Sequence, residues 1–504
     1  MTIIDYLEKT SARYPDKAAF VDENRQLTFS ELLDGAQRIG TALLKKIAVY
    51  NQPIVVLTDR NVESICAFMG AVYSRCFYAP VDVSQPIKRI NSIIEQMQPA
   101  AILSIHHNLP AGLDGNTAPV FEYDSLICSE IDSDLLAGVK RYSMDADPLY
   151  AICTSGSTGV PKGVVVSHRS VIDFISEYTK AFSFTANEVF ANQSPFDFDV
   201  SVKDMYSAIV LGATVHIIPR RYFVMPKLLV DYLDENHITA FSWSVSALCV
   251  LAKLNAFQNK APKDLKKILF GGEAMPVKIL NIWRKAFPDA MFVNVYGPTE
   301  ITVNCLYHIL DREYDEQESI PLGEPFQNEG VYYLNEENHP IQAGEIGEIC
   351  VTGTCLALGY YRDPEKTREA FVQNPLNDRY PERMYRTGDL ALLNERGEYI
   401  FVGRKDNQIK HTGHRIELGE IETAMNAVGG VDRACCIYDR EREKIVAFYT
   451  GSAVKSEIYA DLTKLLPKYM IPGVYKQIDA MPLNHNGKMD RNALRLEYER
   501  GLTS

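Results

Sequence analysis

Long apolar runs are the first thing missing from this 504-residue chain. None approaches the roughly 20 residues a bilayer-spanning helix needs, which excludes membrane insertion. The start, MTIIDYLEKT, carries acidic residues early and lacks a basic stretch followed by an apolar one, so no secretory leader is expected and a cytoplasmic location follows. The ten cysteines are scattered and form no C-x-x-C pair, which argues against a zinc framework or redox couple. They are expected as reduced, mostly buried small hydrophobes. The adjacent His106 and His107 have no further ligand group at metal spacing and predict a solvated loop. Positive charge is in deficit as well: 52 Lys and Arg against 65 Asp and Glu, a formal net charge of −13, disfavour nonspecific binding to nucleic acid or an anionic membrane surface. Internal repeats and low-complexity segments are absent.

A Walker phosphate loop is absent too. The stretch ICTSGSTGVPKG, residues 152–163, has the glycines and hydroxyls of such a loop, but Lys162 follows Pro161 and precedes Gly163 where the Walker pattern needs G-K-[S/T]. Its flanks, LYAIC and GVVVSH, are short apolar runs of strand type, so the loop reads as a hairpin connection with no helix N-terminus behind it. Backbone N–H groups freed by Gly156 and Gly159, the hydroxyls of Thr154, Ser155, Ser157 and Thr158, and the charge of Lys162 could then hold a phosphate. A Gly/Ser surface turn is the alternative.

What is present predicts an α/β protein. At 504 residues, with 46% hydrophobic and 23% charged residues, the chain calls for two to four folded domains. LTFSELLDGAQRIGTALLKK sets Thr28 and Glu31 at capping-box spacing ahead of apolar positions Leu32, Ala36, Ile39 and Leu43, an amphipathic helix. Strand-like runs alternate with helical ones from PIVVLT to AMFVNVYG, which implies α/β layers with largely parallel sheets. From about 310 to 402 the texture changes to closely spaced strands and turns, expected as a β-rich subdomain resembling a distorted barrel. GEIETAMNAV and KSEIYADLTKLL as helices, with ACCIYD and KIVAFYT as strands, then predict a small α+β domain over 406–504, separate from a large N-terminal domain over 1–405.

Six strings stand in order: TSGSTGVPKG at 154–163, FDVSVKDMY at 198–206, NVYGPTE at 294–300, YRTGDL at 385–390, GRKDNQIKHTGHRIEL at 403–418 and NHNGKMDR at 484–491. Together they resemble the ANL adenylate-forming superfamily, in particular the amino-acid adenylation domains of nonribosomal peptide synthetases and the D-alanine:carrier-protein ligases. The resemblance covers nearly the whole chain. It implies activation of an amino acid by ATP and Mg²⁺ to an aminoacyl-adenylate, then transfer to the phosphopantetheine thiol of a carrier protein. Such chemistry holds two anions together and needs cations, backbone donors and a metal at the transferred phosphoryl group.

By this resemblance, residues 154–163 cover the β- and γ-phosphates. Tyr296 stacks on adenine, Asn294 bonds its edge, and Gly271, Gly272, Glu273 and Ala274 line the other side, with Gly297 beside them. Thr299 contacts the α-phosphate and Glu300 ligates Mg²⁺. Asp389 accepts the ribose hydroxyls, as an ionised carboxylate with two acceptor oxygens can, and Arg404 supports ribose and phosphate. Lys488 bridges the substrate carboxylate and the attacked α-phosphate, where a compact ammonium offsets anion repulsion. The hinge falls near Asp406, about which the C-terminal domain turns to present the KHTGHR face, around Gly413, to the thiol.

Asp199 matches the aspartate that pairs with a substrate α-ammonium, which favours an amino acid over a fatty or aryl acid. The remaining pocket positions are Val200, Lys203, Ser242, Leu269, Gly271, Val295, Val303 and Asn304, most of them small or apolar. Lys203 stands out, because a buried ammonium is costly unless paired. It either pairs with a substrate side-chain carboxylate, or snorkels out or pairs with Asp204 and leaves a pocket for a small neutral amino acid. D-alanine ligases carry small apolar or sulfur-bearing residues where this chain has Lys203 and Gly271. No segment with a phosphopantetheine-attachment serine follows Lys488, so the carrier is expected in trans, with a small thiol such as CoA as the alternative acceptor. A non-catalytic nucleotide-binding protein is a further alternative, opposed by the presence of Glu300, Asp389, Arg404 and Lys488 together.

Overall fold

The computed structural model describes residues 1–105, 109–113, 118–156, 161–406, 408–482 and 489–503. Two large sheets dominate the described residues. One has nine strands in the order Glu324–Pro325, Leu306–Ile309, Met291–Tyr296, Lys267–Gly271, Ala240–Ser244, Val189–Asn192, Thr214–Ile217, Ala18–Val21, Gln26–Thr28. From Met291–Tyr296 across to Ala18–Val21 the pairing is parallel, and antiparallel strands close both edges. The second has seven strands in the order Gly359–Tyr360, Lys162–Ser167, Pro148–Thr154, Phe77–Asp82, Pro53–Thr58, Ala101–Ser104, Val120–Glu122. It is parallel from Pro148–Thr154 onward.

The sequence explains these layers. Pro53–Thr58 and Phe77–Asp82 are buried at every position, as strands covered on both faces must be. The helix Val62–Tyr73 has no polar face and is buried along its whole length. Helix Phe29–Ile47 begins with the expected capping box: the Glu31 backbone N–H donates to Thr28 Oγ at 3.2 Å, and the Thr28 N–H donates to the Glu31 carboxylate at 2.8 Å. The strands on either side of ICTSGSTGVPKG pair antiparallel, so the hairpin reading of that loop matches its flanks; Ser157, Thr158 and Gly159 lie outside the described residues.

The β-rich stretch forms an antiparallel sheet in which the long strand Arg383–Leu393 pairs with Ile346–Gly353, Phe371–Gln373 and Tyr399–Arg404. It is less self-contained than its sequence texture implies. Two short strands within it, Glu324–Pro325 and Gly359–Tyr360, cap edges of the two large sheets and satisfy backbone groups there. After it come the hairpin Gln408–His411/His414–Glu417, the helix Leu418–Asn426, a three-stranded sheet of Val431–Asp439, Lys444–Gly451 and Val474–Gln477, and the helices Lys455–Leu465 and Arg491–Thr503. Two apolar clusters are built only from residues of this last stretch, one around Ile421, Ala447 and Leu462 and one around Phe448 and Leu494.

All ten cysteines are free; Cys128 is exposed, Cys153 half-buried and the others buried. Among the described residues no group of three His, Cys, Asp or Glu side chains could hold a metal ion. No helix among them is long and apolar enough to cross a membrane. His106 and His107 lie outside the described residues.

Candidate active site

The nine-stranded sheet places a crevice by its topology. Chain leaving Val189–Asn192 goes to the neighbour on one side, Thr214–Ile217, then returns across it to Ala240–Ser244 on the other and continues outward. Order therefore reverses between Val189–Asn192 and Ala240–Ser244, and an open parallel sheet binds ligands outside the carboxyl ends of its strands at such a switch. The cavity here is lined at and just beyond those ends, by Gln193 to Pro195, Asp197 to Asp199, Trp243 and Ser244, Gly271 and Gly272, and Gly297 to Thr299. From the second sheet come Ile152 to Ser155, and from the later strands Asp389 and Arg404.

Helix Val200–Leu211 runs down from this crevice, with Asp199 at its N-cap and Gly212 ending it in the left-handed conformation. Asp199 and Lys203 are one turn apart and both line the cavity. Burial raises the Asp199 pKa, while a hydrogen bond from Thr299 and the charge of Lys203 pull it back. Lys203 is 2% exposed, and its Nζ donates to Ser242 Oγ at 2.7 Å and Asn304 Oδ1 at 3.0 Å. It does not snorkel to solvent. Val200, Gly271, Val295, Val303 and Asn304 also line the cavity. Gly271 admits no side chain: a Cβ there would lie 2.3 Å from the Val295 carbonyl oxygen. Ser242 meets the pocket through Lys203, and Leu269 is wholly buried in the core rather than among the lining residues. Thr302 and Val303 hold φ of 58° and 79°, uncommon for β-branched residues, and Thr302 Oγ is tied to the Cys355 carbonyl at 2.6 Å.

Asp389 is 1% exposed and sits at the cavity wall, where Arg404 donates to one carboxylate oxygen and the Tyr296 hydroxyl to the other at 2.6 Å. Arg404 is fixed in turn by Asp406 through two bonds of 2.7 Å. Thr154 lines the cavity, and its buried Oγ has no hydrogen-bond partner among the described residues. Lys162 lies 5.0 Å from the Tyr360 ring centre. Asn294 donates to the Pro321 carbonyl at 2.8 Å. Neither Asn294 nor Tyr296 opens onto the cavity, and Ala274 is exposed.

The hairpin Gln408–Glu417 reaches into the crevice, where Gln408, Lys410 and Thr412 to Arg415 line the cavity. Its turn, Thr412-Gly413, has φ of 51° and 82°, the two positive values of a tight two-residue hairpin. The Gly413 N–H donates to Glu273 Oε1 at 3.0 Å, and a Cβ on Gly413 would meet Ser244 Cβ at 3.0 Å. Lys410 lies 5.4 Å from the Tyr296 ring centre. Burial lowers its pKa, opposed by the charge of Asp389. Arg415 Nη1 donates to Glu300 Oε2 at 2.6 Å, the Tyr360 hydroxyl donates to Oε1 at 2.8 Å, and Ser155 Oγ donates to the Arg415 carbonyl at 2.9 Å.

Glu300 is fully buried. Burial alone would raise its pKa, but the charges of Arg415 and Lys162 outweigh it and hold the group at about 2. An ionised carboxylate beside a phosphate loop suits Mg²⁺, which binds one or two carboxylates and completes its shell with phosphate oxygens and water. Both oxygens accept from protein donors in this arrangement, so a metal ion on Glu300 would have to displace Arg415 or Tyr360.

Lys410, Arg415, Tyr360 and Arg89 are site residues that the sequence reading did not single out, as are the stacked rings of Phe198, His414 and Tyr469. His414 and Tyr469 have ring centres 3.6 Å apart, and Phe198 meets His414 edge-on at 4.8 Å. The string KHTGHR was a signal for Lys410, His414 and Arg415, but their partners are far away in the chain. Lys488 lies outside the described residues.

The crevice at the switch point thus has the carboxylate of Asp199 and the ammonium of Lys203 one helical turn apart, with Asp389 and Arg404 on the same cavity wall. In class this is an adenylate-forming ligase. The chain belongs to the AMP-binding enzyme family of the ANL superfamily, whose profile matches residues 7–361. It is 30% identical over 504 residues to tyrocidine synthase 1 of Brevibacillus parabrevis, across 98% of this chain and 45% of that protein. It is 32% identical over 503 residues to tyrocidine synthase 3 of the same organism, across 98% of this chain and 8% of that protein. The chain thus spans less than half the length of either relative. Its fold is similar to holo-PA1221, an NRPS protein containing adenylation and PCP domains bound to a vinylsulfonamide inhibitor (TM-score 0.83, 24% identity, 98% of this chain and 84% of that one). It is also similar to the Vibrio cholerae adenylation domain AlmE in complex with glycyl-adenosine-5'-phosphate (TM-score 0.82, 21% identity, 99% and 98%).

Proposed function

We propose that the enzyme activates an amino acid with ATP and Mg²⁺ to aminoacyl-AMP and pyrophosphate, then passes the acyl group to the phosphopantetheine thiol of a separate carrier protein. The observation that carries this reading is that Asp199, Lys203, Asp389 and Arg404 line one continuous cavity, so an amino acid and a nucleotide share one space. Asp199 takes the α-ammonium and turns the carboxylate toward Thr299. A carboxylate oxygen attacks the α-phosphorus, the bond to the bridging oxygen breaks, and pyrophosphate leaves. Asp389 and Arg404 hold the ribose, Tyr296 and Asn294 the adenine, residues 154–163 and Lys162 the phosphates, and Lys488 the two reacting anions. Mg²⁺ on Glu300 supplies charge neutralisation at the phosphates.

The inserted hairpin supports the second half-reaction. With Gly413 against Ser244 and Arg415 on Glu300, the metal's carboxylate is taken. Lys410 stands near Asp389, where it can stabilise the AMP that leaves when the thiolate attacks the acyl carbon. In this reading residues 406–504 form the moving domain, with its hinge at Asp406. PA1221, which contains adenylation and PCP domains, and AlmE with its glycyl-adenylate support a carrier and an aminoacyl-adenylate. The polar pocket floor suits an acidic or small polar side chain.

Amino-acid-dependent exchange of labelled pyrophosphate into ATP tests the proposal. Exchange is expected with a restricted set of α-amino acids and must require Mg²⁺. Its absence with every α-amino acid, D and L, overturns the reading.

A further inference from the structure

The polarity of the pocket is arranged along one helix face. Asp199 stands at its mouth and Lys203 one turn deeper, so a negative and a positive group face the same cavity about 5–6 Å apart along the helix. Val200, Val295 and Val303 supply apolar wall beside them.

Lys203 is the unusual element. Its ammonium has three N–H donors. Two are used, on Ser242 and Asn304, and both acceptors are neutral. Among the described residues its direct hydrogen-bond partners include no carboxylate. The adjacent Asp204 is buried and accepts from Asn192 Nδ2 at 3.1 Å. Asp204 and Asp199 favour the lysine's charge from a distance, but neither supplies the direct partner that a buried cation ordinarily has. Ser242 comes from a strand of the large sheet, and Asn304 follows the left-handed Thr302 and Val303. The ammonium is thus held in place from two rigid sides.

We infer that the substrate is an α-amino acid whose side chain ends in a carboxylate, with that carboxylate on Lys203 and the α-ammonium on Asp199. The inference rests on the amino-acid adenylation reading above. The ligand this pocket complements has a cation, a short apolar stem and an anion, in the order in which the wall presents an anion, apolar side chains and a cation. An aspartate- or glutamate-type acid has that order. A neutral amide of the same shape leaves the ammonium without a counter-charge and places an N–H₂ group where a second acceptor is wanted.

Pyrophosphate exchange by the unaltered enzyme, with aspartate against asparagine, glutamate against glutamine, and alanine, each in both enantiomers, decides the matter. One acid is expected to exceed its own amide at least about 100-fold in kcat/KM, since a site built for a polar partner rejects an analogue that lacks it strongly. The variant Lys203→Met keeps the stem and removes the charge; it should lower the ratio of acid to amide kcat/KM by a similar factor. An amide or alanine that matches the acid overturns the inference while amino-acid adenylation stands, as does a Lys203→Met enzyme that loses acid and amide equally. Failure of exchange with every amino acid overturns the adenylation reading and this inference with it.

Discussion

At the scale of single residues, charge in the crevice is set by burial and by distant partners. Burial lowers the Lys203 pKa, and the protonated ammonium is the form that attracts an anion. The preference for an acidic substrate should therefore fade as pH rises, and at a lower pH than the ~10.4 of an ordinary lysine. A profile of acid against amide kcat/KM checks this, and a ratio that stays flat up to the ordinary lysine range contradicts it. Glu300 has the opposite sign. Its depressed pKa, about 2, means that its contribution to the folded state is present above the ordinary glutamate value and is lost as pH falls from there toward 2. Glu300→Gln leaves the Arg415 guanidinium without its counter-charge and should destabilise the protein by about 3–5 kcal/mol, seen as a lower melting temperature; Glu300→Gln should also flatten the acid limb of the stability curve. A melting temperature unchanged from the parent contradicts this role for the pair.

At the scale of elements, local signals were readable and long-range ones were not. The capping box at Thr28 and Glu31 depends on residues three apart and is present as its spacing predicts. Thr28→Ala should cost about 1 kcal/mol, measurable as a shift in a chemical denaturation midpoint. The hairpin strands around ICTSGSTGVPKG were legible from two short apolar runs. In contrast, the environment of Lys203 depends on Ser242 and Asn304, 39 and 101 residues further along. Sequence raised the question of that lysine's partner; tertiary packing shows two neutral acceptors. Arg415 pairs across 115 residues with Glu300, and nothing near either residue announces it. The β-rich stretch read as a unit because its strands and turns are closely spaced, yet Glu324–Pro325 and Gly359–Tyr360 pair outside it. Edge pairing of two-residue strands leaves almost no trace in composition.

At the scale of the whole molecule, the arrangement is held together by contacts between the crevice and the chain beyond residue 406. Besides Arg415 on Glu300 and Gly413 on Glu273, Arg89 from helix Ile87–Met97 is paired with Glu420 from helix Leu418–Asn426, both buried. Arg89→Ala strands the Glu420 carboxylate and should loosen this arrangement, read as faster proteolysis around residue 406. Unchanged cleavage would show that the pair does not hold the two parts together. In the proposed cycle one crevice serves two half-reactions, with Lys488 acting in the first and the hairpin around Gly413 in the second. Measuring pyrophosphate exchange and single-turnover transfer from preformed aminoacyl-adenylate, side by side in Lys488→Ala and Gly413→Val, tests it most directly. Lys488→Ala should lose exchange by about 10²–10³-fold, the scale of one lost transition-state contact, and keep transfer. Gly413→Val strains the left-handed turn and pushes against Ser244, so it should keep exchange and lose transfer. Loss of the same half-reaction in both variants would contradict the account.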